Sequence, residues 1–395
     1  MQKEDNRNFI LALALSFIVI VAWQFFYAGP QTNKQREAQQ TREQQSGAPT
    51  ATSPQPGAPV APGAPAPAPA APQVETREQA LAQSPRVVID TPSIAGSIAL
   101  IGGRIDDVSL KRYRETVNPS SPIIKFMSPS GSPHPLYAEF GWAATPGGPT
   151  NLPNATTLWT ADSNRLTPEK PLTLTFDSGQ GLLFKRVISV DANAMFTVTD
   201  SVENKGTAPV SLANYALISR HGAQQVAGYY ILHEGPVGVI GEQGLQEISY
   251  AQLEKDKIKQ FNKGAVGGFL GFTDKYWAAA LIPDQKVPYD ARVSFDPAGA
   301  LKRYQTDILT PVQTIEPGKT VESMTRLFSG AKEVAAVDGY EKSLGIKSFD
   351  LLIDWGWFYF ITKPLFGVIH WFYQLTGNFG VAILIVTVLV KILFF

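Results

Sequence analysis

The strongest constraint on the fold lies at the C-terminal end of the chain, where two apolar segments follow each other directly. The second segment, FGVAILIVTVLVKILFF, starts at Phe379 and carries Thr387 and Lys391 as its polar side chains. A transmembrane helix needs about 20 apolar residues to cross roughly 30 Å of hydrocarbon. Residues 379–395 therefore predict a transmembrane helix that is incomplete, and we expect the sequence to be a fragment of a longer chain.

Lys391 is a candidate functional residue because of its depth in this helix. It lies eleven residues after Gly380, which places it about 16 Å along the helix and past the middle of a bilayer. A charge at the centre of a membrane helix costs at least about 2.5–3.5 kcal/mol, so such residues usually face a bundle interior or a wet cavity. The alternative is that the lysine stem snorkels towards the far headgroups.

The preceding segment, residues 352–375, has a different pattern. Polar residues recur at helical spacing from Lys363 to Gln374, and apolar and aromatic side chains cover the other sides. This is typical of an amphipathic helix in the membrane interface, with tryptophans at headgroup depth. A spanning helix kinked at Pro364 is the alternative. The predicted membrane-interface residues are Trp355, Trp357, Lys363, His370 and Trp371.

The N-terminal region carries another apolar run. Residues 9–28 are uninterrupted and long enough to span a bilayer, and they predict transmembrane helix 1. Residues 1–8 contain Lys3 and Arg7, which favour a cytoplasmic N-terminus. A cleaved signal peptide is the alternative, but the end of the run offers a poor small-residue cleavage site.

Residues 29–85 change to a Gln, Thr and Glu composition and then to the tract ATSPQPGAPVAPGAPAPAPAAP. Such a stretch has too few large apolar side chains to offset its ordering entropy, and its prolines favour extended polyproline II. We expect a disordered, semi-rigid linker over these residues.

Residues 86–345 predict a large domain, because the apolar period changes to two over residues 86–330. Residues 331–344 return to helical spacing, and Gly345 is a plausible C-cap. The glycines 238, 241 and 244 predict a flexible surface loop. The fold class is therefore a mostly antiparallel β-sandwich closed by a C-terminal helix. The predicted strands include RVVID, LTLTF, LLFKRVISV, MFTVTDSV, VSLANYALIS, KYWAAALI and ARVSF.

Composition excludes several classes of function. Lys and Arg number 34 and Asp and Glu number 34, so the chain has no net charge, and no basic stripe indicates a nucleic-acid partner. The sequence has no cysteine, which removes disulfides and thiol chemistry. We expect no metal site and no cofactor, because the histidines lack the spacing of metal ligands. They are His134, His221, His233 and His370.

Four runs resemble the YidC family of bacterial membrane protein insertases: FDLLIDWGWFYFITKPLF, LTGNFGVAILIVTVLVK, TDKYWAAALIP and TRLFSGAKEVAAVDGYE. The resemblance extends less densely over the whole chain. It implies a mostly β periplasmic domain, a super-sandwich similar to sugar mutarotases, flanked by transmembrane α-helices and an interfacial amphipathic helix. It also implies a multi-pass protein of the bacterial inner membrane, with further helices beyond residue 395 and the large domain in the periplasm.

The resemblance also implies a non-enzymatic function, with no catalytic residues. The family inserts newly made inner-membrane proteins and helps them fold, alone or with the Sec translocon, through a polar intramembrane groove. The implied partners are nascent membrane proteins, Sec translocon components, membrane lipids and, through the missing C-terminal part, the ribosome. The positive residue of the groove matches Lys391, and Thr387 falls on the same face. Many members have arginine there, and lysine keeps its charge but not its rigid fork of donors.

Two alternatives from other classes stay open. The first is a membrane-tethered periplasmic binding or assembly domain, in which both helices are anchors. The second is a mutarotase-like enzyme that would use His221 or His233, with a carboxylate such as Glu234, as acid and base on a sugar. The spacing of these residues does not single them out.

Overall fold

The computed structural model describes residues 75–223, 232–298, 301–356 and 358–394. The predicted transmembrane helix 1 and most of the predicted linker lie outside these residues.

The described helices are α1 (Arg77–Ala82), α2 (Tyr250–Asp256), α3 (Val334–Leu344), α4 (Tyr359–Thr376) and α5 (Phe379–Phe394). The strands are β1 (Arg86–Asp90), β2 (Ile94–Ala99), β3 (Arg104–Arg114), β4 (Ile123–Met127), β5 (Leu136–Ala144), β6 (Thr160–Ala161), β7 (Arg165–Leu166), β8 (Leu172–Asp177), β9 (Leu182–Val190), β10 (Met195–Asn204), β11 (Val210–His221), β12 (Gly235–Ile240), β13 (Leu245–Glu247), β14 (Ile258–Gln260), β15 (Gly268–Thr273), β16 (Trp277–Pro283), β17 (Asp290–Asp296), β18 (Arg303–Leu309), β19 (Gln313–Ile315) and β20 (Thr320–Ala331).

The strands form two large sheets. The first has the order β14-β17-β18-β11-β5-β3-β2-β1-β7, with β19 also paired to β11 and β4 to β3. The second has the order β13-β12-β15-β16-β20-β10-β9-β8-β6. Apart from the parallel pair β1–β7, the described strand pairings are antiparallel. The predicted mostly antiparallel β-sandwich is therefore confirmed.

The main core lies between the two sheets and follows from the period of two. In β10, Phe196, Val198, Asp200 and Val202 are buried, while the alternating residues of the other face are half-buried. The three apolar members belong to the core between the sheets. They share one apolar cluster with Ala216 and Ile218 of β11 in the first sheet. Full burial of each large apolar side chain stabilises the fold by about 1.5–3 kcal/mol, so this interior holds the two sheets together.

A buried ion pair links the two sheets inside this core. Arg186 of β9 donates to Asp200 of β10 at 2.6 Å, and both side chains are at most 4% exposed. The same guanidinium donates to the carbonyl oxygens of Gly103 (2.9 Å) and Phe140 (2.6 Å), which belong to the first sheet's side of the core. The amide of Asn214 in β11 donates to Asp200 at 3.3 Å. The pair is therefore held by hydrogen bonds from both sheets.

A second apolar layer covers the outer face of the second sheet. A 3₁₀ turn, Phe349–Leu352, follows α3 and places the Phe349 ring 5.3 Å from Phe269 and 5.7 Å from Phe328. The Tyr340 hydroxyl of α3 donates to Asp191 at 2.6 Å. Gly345 ends α3 in the left-handed conformation at φ 64°, as the sequence predicts. This layer supports the chain that leads into α4.

The last part of the predicted linker is structured. Helix α1 begins within residues 29–85 because Thr76 and Gln79 form a reciprocal capping box. Arg77 of this helix pairs with Asp107 of β3 and donates to the Ser128 hydroxyl at 3.0 Å. The contact with the first sheet supplies the stability that the Ala/Pro composition of the linker lacks, so the linker prediction is wrong for these residues.

The structure also corrects the prediction of a flexible surface loop at glycines 238, 241 and 244. Gly238 lies inside the buried strand β12, where a Cβ atom would be 2.5 Å from the Phe269 carbonyl oxygen. Gly241 is also buried, and Gly244 has φ 69°. These glycines allow close backbone packing and a tight turn, so the prediction of a flexible surface loop is wrong for the first two.

Candidate functional site

Helix α4 begins later than the sequence predicts. Its first residue is Tyr359, whereas the prediction starts at residue 352. The 3₁₀ turn occupies the earlier positions, and Gly356 has φ 72°, a conformation that interrupts a helix. The hydroxyl of Thr362 donates to the Trp355 carbonyl at 2.7 Å, which ties the first turn of α4 to this break.

Helices α4 and α5 form a hairpin. Gly377 ends α4 at φ 66°, and its N–H donates to the Tyr373 carbonyl at 2.8 Å. The side chain of Asn378 then accepts hydrogen bonds from the N–H groups of Gly380 (2.9 Å) and Val381 (3.2 Å), which satisfies the start of α5. The two helices pack together, with the Tyr373 and Phe379 rings 5.7 Å apart.

Lys363 joins α4 to the sandwich. Its Nζ lies 3.1 Å from an Asp338 carboxylate oxygen on α3 and 2.9 Å from one of Asp350 in the 3₁₀ turn. Burial lowers the pKa of Lys363, but the hydrogen bonds and charges of Asp350 and Asp338 outweigh this effect, so its pKa is raised. The lysine is therefore held as a cation between two carboxylates.

Trp355 completes this junction, which we define by Trp355, Lys363, Asp338, Glu341 and Asp350. The indole N–H donates to the Asp350 carbonyl at 3.1 Å, and the ammonium of Lys363 lies 5.9 Å from the ring centre. A carboxylate oxygen of Glu341 accepts the Asp350 backbone N–H at 2.7 Å. Burial raises the pKa of Glu341, and the neighbouring Asp350 carboxylate adds to this effect although the N–H of Asp350 opposes it.

The other predicted interface residues have different environments. Trp371 is 55% exposed, and the His370 ring shares a hydrogen bond of 3.1 Å with the amide of Gln374. Trp357 lies outside the described residues. The structure therefore brings Trp355 and Lys363 together at the junction and leaves Trp371 on the exposed side of α4.

The apolar side chains of the hairpin point outward. Lys363 and His370 on the polar stripe of α4 are half-buried, whereas several large apolar residues are exposed. This is the reverse of a helix packed on a water-soluble core. The exposed set in α4 and its N-cap is Phe358, Tyr359, Phe360, Ile361, Leu365, Val368, Trp371, Tyr373 and Leu375. The corresponding set in α5 includes Val381, Ile383, Leu384, Val388, Leu389, Val390, Ile392, Leu393 and Phe394.

Thr387 and Lys391 lie one turn apart on α5, and both are exposed. The Thr387 hydroxyl donates back to the Ile383 carbonyl at 2.8 Å. Ala382 and Val386 are the buried residues of this helix. At 3.6 residues per turn, Thr387 and Lys391 lie about 120° and about 160° around the helix from the buried pair. The two predicted groove residues therefore share a face that points away from the buried side of α5.

Helix α5 comprises 16 residues, about 24 Å at 1.5 Å per residue. Within the described ranges, no helix combines the length and the hydropathy that a membrane crossing requires.

The histidines of the enzyme hypothesis have separate surroundings. The His233 ring is buried and lies 3.0 Å from the Pro236 carbonyl oxygen. The His221 ring packs 5.8 Å from Tyr137, and burial, with help from Arg303 and Arg104, lowers its pKa to about 4. The described residues contain no cluster of side chains that could hold a metal ion. No hydrogen bond joins His221 or His233 to Glu234 in the described part of the chain.

Sequence reasoning missed the acidic half of the junction. A lysine inside an aromatic helix requires a counter-charge, so Lys363 was a signal that carboxylates lie nearby. Asp338 and Asp350 are 25 and 13 residues away in sequence, and only the fold of α3 over the second sheet brings them together.

The fold and site define a class of protein, namely a large β-sandwich domain followed by a helical hairpin with outward apolar faces. Residues 86–368 match the family model described as the YidC periplasmic domain. The chain belongs to the YidC family, and this region is its periplasmic domain.

Curated relatives agree with this assignment. The chain is 53% identical over 395 residues to the membrane protein insertase YidC of Beijerinckia indica, with 100% of this chain and 65% of the relative covered. It is 51% identical over 409 residues to the protein of that name from Bradyrhizobium diazoefficiens, with 99% of this chain and 66% of the relative covered. The chain thus spans about two thirds of the length of these relatives.

Among solved structures, a galactose mutarotase related enzyme from Lactobacillus acidophilus is similar at 11% identity and a TM-score of 0.43. The match covers 62% of this chain and 97% of that chain. The family assignment rests on the sequence matches alone.

Proposed function

We propose that this protein is a membrane protein insertase and chaperone, which inserts newly made inner-membrane proteins and helps them fold. The support is the family membership together with the name that the curated relatives share. The proposed partners are nascent membrane proteins, Sec translocon components, membrane lipids and the ribosome, with no nucleic acid. The work is non-enzymatic and needs no cofactor.

The proposed arrangement places the protein in the bacterial inner membrane as a multi-pass protein. Residues 1–8 are cytoplasmic, residues 9–28 are transmembrane helix 1, and residues 29–85 connect this helix to the periplasmic sandwich. Helix α4 lies in the membrane interface, and residues 379–395 belong to transmembrane helix 2. The orientation of α4 supports this arrangement, because Lys363 faces the sandwich while Phe360, Ile361 and Leu375 are exposed.

The proposed mechanism rests on the position of Lys391 in α5. It is an exposed lysine in an apolar helix, one turn from an exposed threonine, on a face away from the buried Ala382 and Val386. A cation in a cavity shielded from bulk water attracts an acidic or polar passenger segment and lowers the cost of moving it through hydrocarbon. Thr387 and Lys391 therefore line the proposed polar intramembrane groove.

Substitution of Lys391 in the full-length protein tests this mechanism. Lys391→Ala should impair insertion of substrates with charged tails, while Lys391→Arg should retain most activity because it keeps the positive charge. Insertion is measured by protease protection of a radiolabelled substrate in vesicles. Lys319→Ala, an exposed lysine in the sandwich, is the matched control and should behave as wild type.

Wild-type insertion by both Lys391 variants would defeat the groove assignment. The function would then belong to the periplasmic sandwich as a membrane-tethered binding or assembly domain, in which α5 serves as an anchor.

A further inference from the structure

One end of the sandwich stands beside the start of α4, and we call it the helix-side end. Asp354, five residues before α4, accepts the backbone N–H of His233 at 2.9 Å, and His233 lies two residues before β12. The first residue of β12, Gly235, pairs with Thr273, the last residue of β15. The β15–β16 turn therefore lies at the same end as the chain that enters α4.

The β3–β4 hairpin belongs to the same end. The Tyr113 ring of β3 lies 5.0 Å from the Trp277 ring at the start of β16, and the Tyr113 hydroxyl donates to Glu333 at 2.5 Å. The backbone N–H of Lys332 donates to the Tyr276 carbonyl at 2.9 Å. These contacts fix the hairpin and the β15–β16 turn side by side.

This end exposes apolar and aromatic side chains at its tips. Tyr276, in the β15–β16 turn, is 59% exposed, and it is the one exposed aromatic residue that the structure describes between residues 75 and 353. Val117, at the tip of the β3–β4 hairpin, is fully exposed. Hydrogen bonds within the hairpin hold that tip, including one of 2.6 Å from Arg114 to the Ser121 carbonyl. The tips are therefore presented by fixed turns.

Cations surround these tips. The Lys275 ammonium lies 5.1 Å from the Tyr276 ring centre, and Arg112 and Arg114 are exposed beside the hairpin. The nearby carboxylates are largely occupied: Glu333 is bound to Tyr113 and lies 3.6 Å from Arg112, and Asp274 is buried in a pair with Arg220. Among the described residues, Lys275 and Arg114 form no ion pair with a carboxylate, whereas Arg112 is offset by Glu333. Exposed Glu115 is the acidic residue of the hairpin tip, and Glu234 and Asp354 act on Lys332 rather than on these two cations.

We infer that the helix-side end of the sandwich docks on anionic lipid headgroups through Tyr276, Lys275, Arg114 and Val117. An amphipathic tyrosine with a neighbouring lysine suits the headgroup layer, and each basic residue near an anionic membrane surface adds to the attraction. The same end of the sandwich is joined to the chain that enters α4 by the hydrogen bond from His233 to Asp354. The inference rests on the proposed placement of α4 in the membrane interface.

Depth-sensitive fluorescence on the full-length protein in lipid nanodiscs tests the docking. This chain contains no cysteine, so an NBD dye can be attached at Val117→Cys and quenched by spin-labelled headgroups. Val312→Cys is the matched control, because Val312 is also exposed but directly precedes β19, which pairs with the start of β11. Strand β11 has 12 residues, so the two ends are about 40 Å apart. A third dye at Leu375→Cys reports on α4.

In nanodiscs that contain phosphatidylglycerol, the dyes at positions 117 and 375 should be quenched and the dye at 312 should not. Lys275→Gln and Arg114→Gln should each lower the ratio of docked to undocked protein about fivefold, since a basic residue near an anionic surface contributes about 1 kcal/mol. Lys319→Gln, at the opposite end, should leave the quenching at position 117 unchanged.

Each other outcome overturns a specific step. Quenching at 375 without quenching at 117 would refute the docking and leave the placement of α4 intact. Absence of quenching at 375 would refute that placement itself. Equal quenching at 117 in phosphatidylcholine, or no effect of the two charge substitutions, would refute recognition of anionic headgroups.

Discussion

The sandwich and the α4–α5 hairpin differ in which side chains they bury and which they expose. The sandwich buries its apolar residues and holds Arg186 and Asp200 as a satisfied pair in the core. The hairpin exposes its apolar residues and leaves Lys391 on an exposed face. A water-soluble domain gains stability by removing apolar surface from water, whereas a membrane segment keeps apolar surface towards lipid. The exposed apolar surface of the hairpin is what its proposed placement against lipid requires.

The junction connects the sandwich to the hairpin. Lys363 is charged and belongs to the aromatic helix α4, yet its two carboxylate partners belong to the sandwich side. The polar stripe of α4 therefore binds the sandwich, and its apolar side remains exposed. Ion pairs orient the helix here, while burial of Phe349 fixes the turn beneath it.

The largest effect should come from breaking the core pair of the sandwich. Arg186→Met leaves Asp200 buried without its cation, and removing one partner of a buried pair costs about 3–5 kcal/mol. Denaturant unfolding of the protein followed by tryptophan fluorescence measures this loss. The double variant Arg186→Met, Asp200→Leu should recover a substantial part of it, because no uncompensated charge is left. If the single and double variants were equally unstable, charge burial would not be the reason for the loss.

Part of this contrast can be predicted from sequence. The alternation in LLFKRVISV places Arg186 on the same side as the buried Phe184 and Ile188. The sequence does not show that Asp200 and the carbonyls of Gly103 and Phe140 converge on it, because they come from distant segments. Long-range pairing of this kind depends on the sheet order.

Several strands were not predicted from the sequence, and for two of them, β12 and β15, the physical reason is clear. In β12 (GPVGVI) and β15 (GFLGFT), all six residues are buried, so there is no alternation to detect. Their glycines allow close approach of neighbouring strands; a Cβ at Gly271 would lie 2.0 Å from the Ala279 carbonyl oxygen. Predicted strands such as β9 and β10 alternate between buried and more exposed residues, whereas β16 was predicted from KYWAAALI although nearly all of it is buried. The junction carboxylates were missed because nothing local distinguishes Asp338 and Asp350 from surface residues.

Substitution at the junction should have an intermediate and local effect. Lys363→Ala removes a partly exposed pair and should destabilise the attachment of α4 by about 1 kcal/mol, near the upper end for exposed pairs. Hydrogen exchange should increase at the 3₁₀ turn and the first turns of α4, while the β10 and β20 amides keep their protection. Lys363→Arg should retain protection at α4. Uniform loss of protection throughout the sandwich would show that the junction is part of the core rather than a local attachment.

The smallest effect at neutral pH concerns His221 of the sandwich, and it grows as the pH falls. Burial lowers the pKa of His221 to about 4 from its ordinary 6.5, so between these values the unfolded chain binds a proton that the folded protein does not. The contribution of His221 to stability is therefore lost as pH falls from about 6.5 through about 4. His221→Phe preserves a ring against Tyr137 and removes Nε2, which has no hydrogen-bond partner in the described structure.

The variant should consequently lose less stability than wild type over that pH interval, measured by denaturant unfolding at pH 6.5, 5.5 and 4.5. Carboxylates titrate in both proteins, so the difference between the two curves isolates His221. Parallel curves would mean that the folded protein protonates His221 as readily as the unfolded chain does, and this end of the sandwich would then tolerate a charge without a partner. Such a result would weaken the contrast between a sandwich that excludes unpaired charge and a hairpin that exposes Lys391.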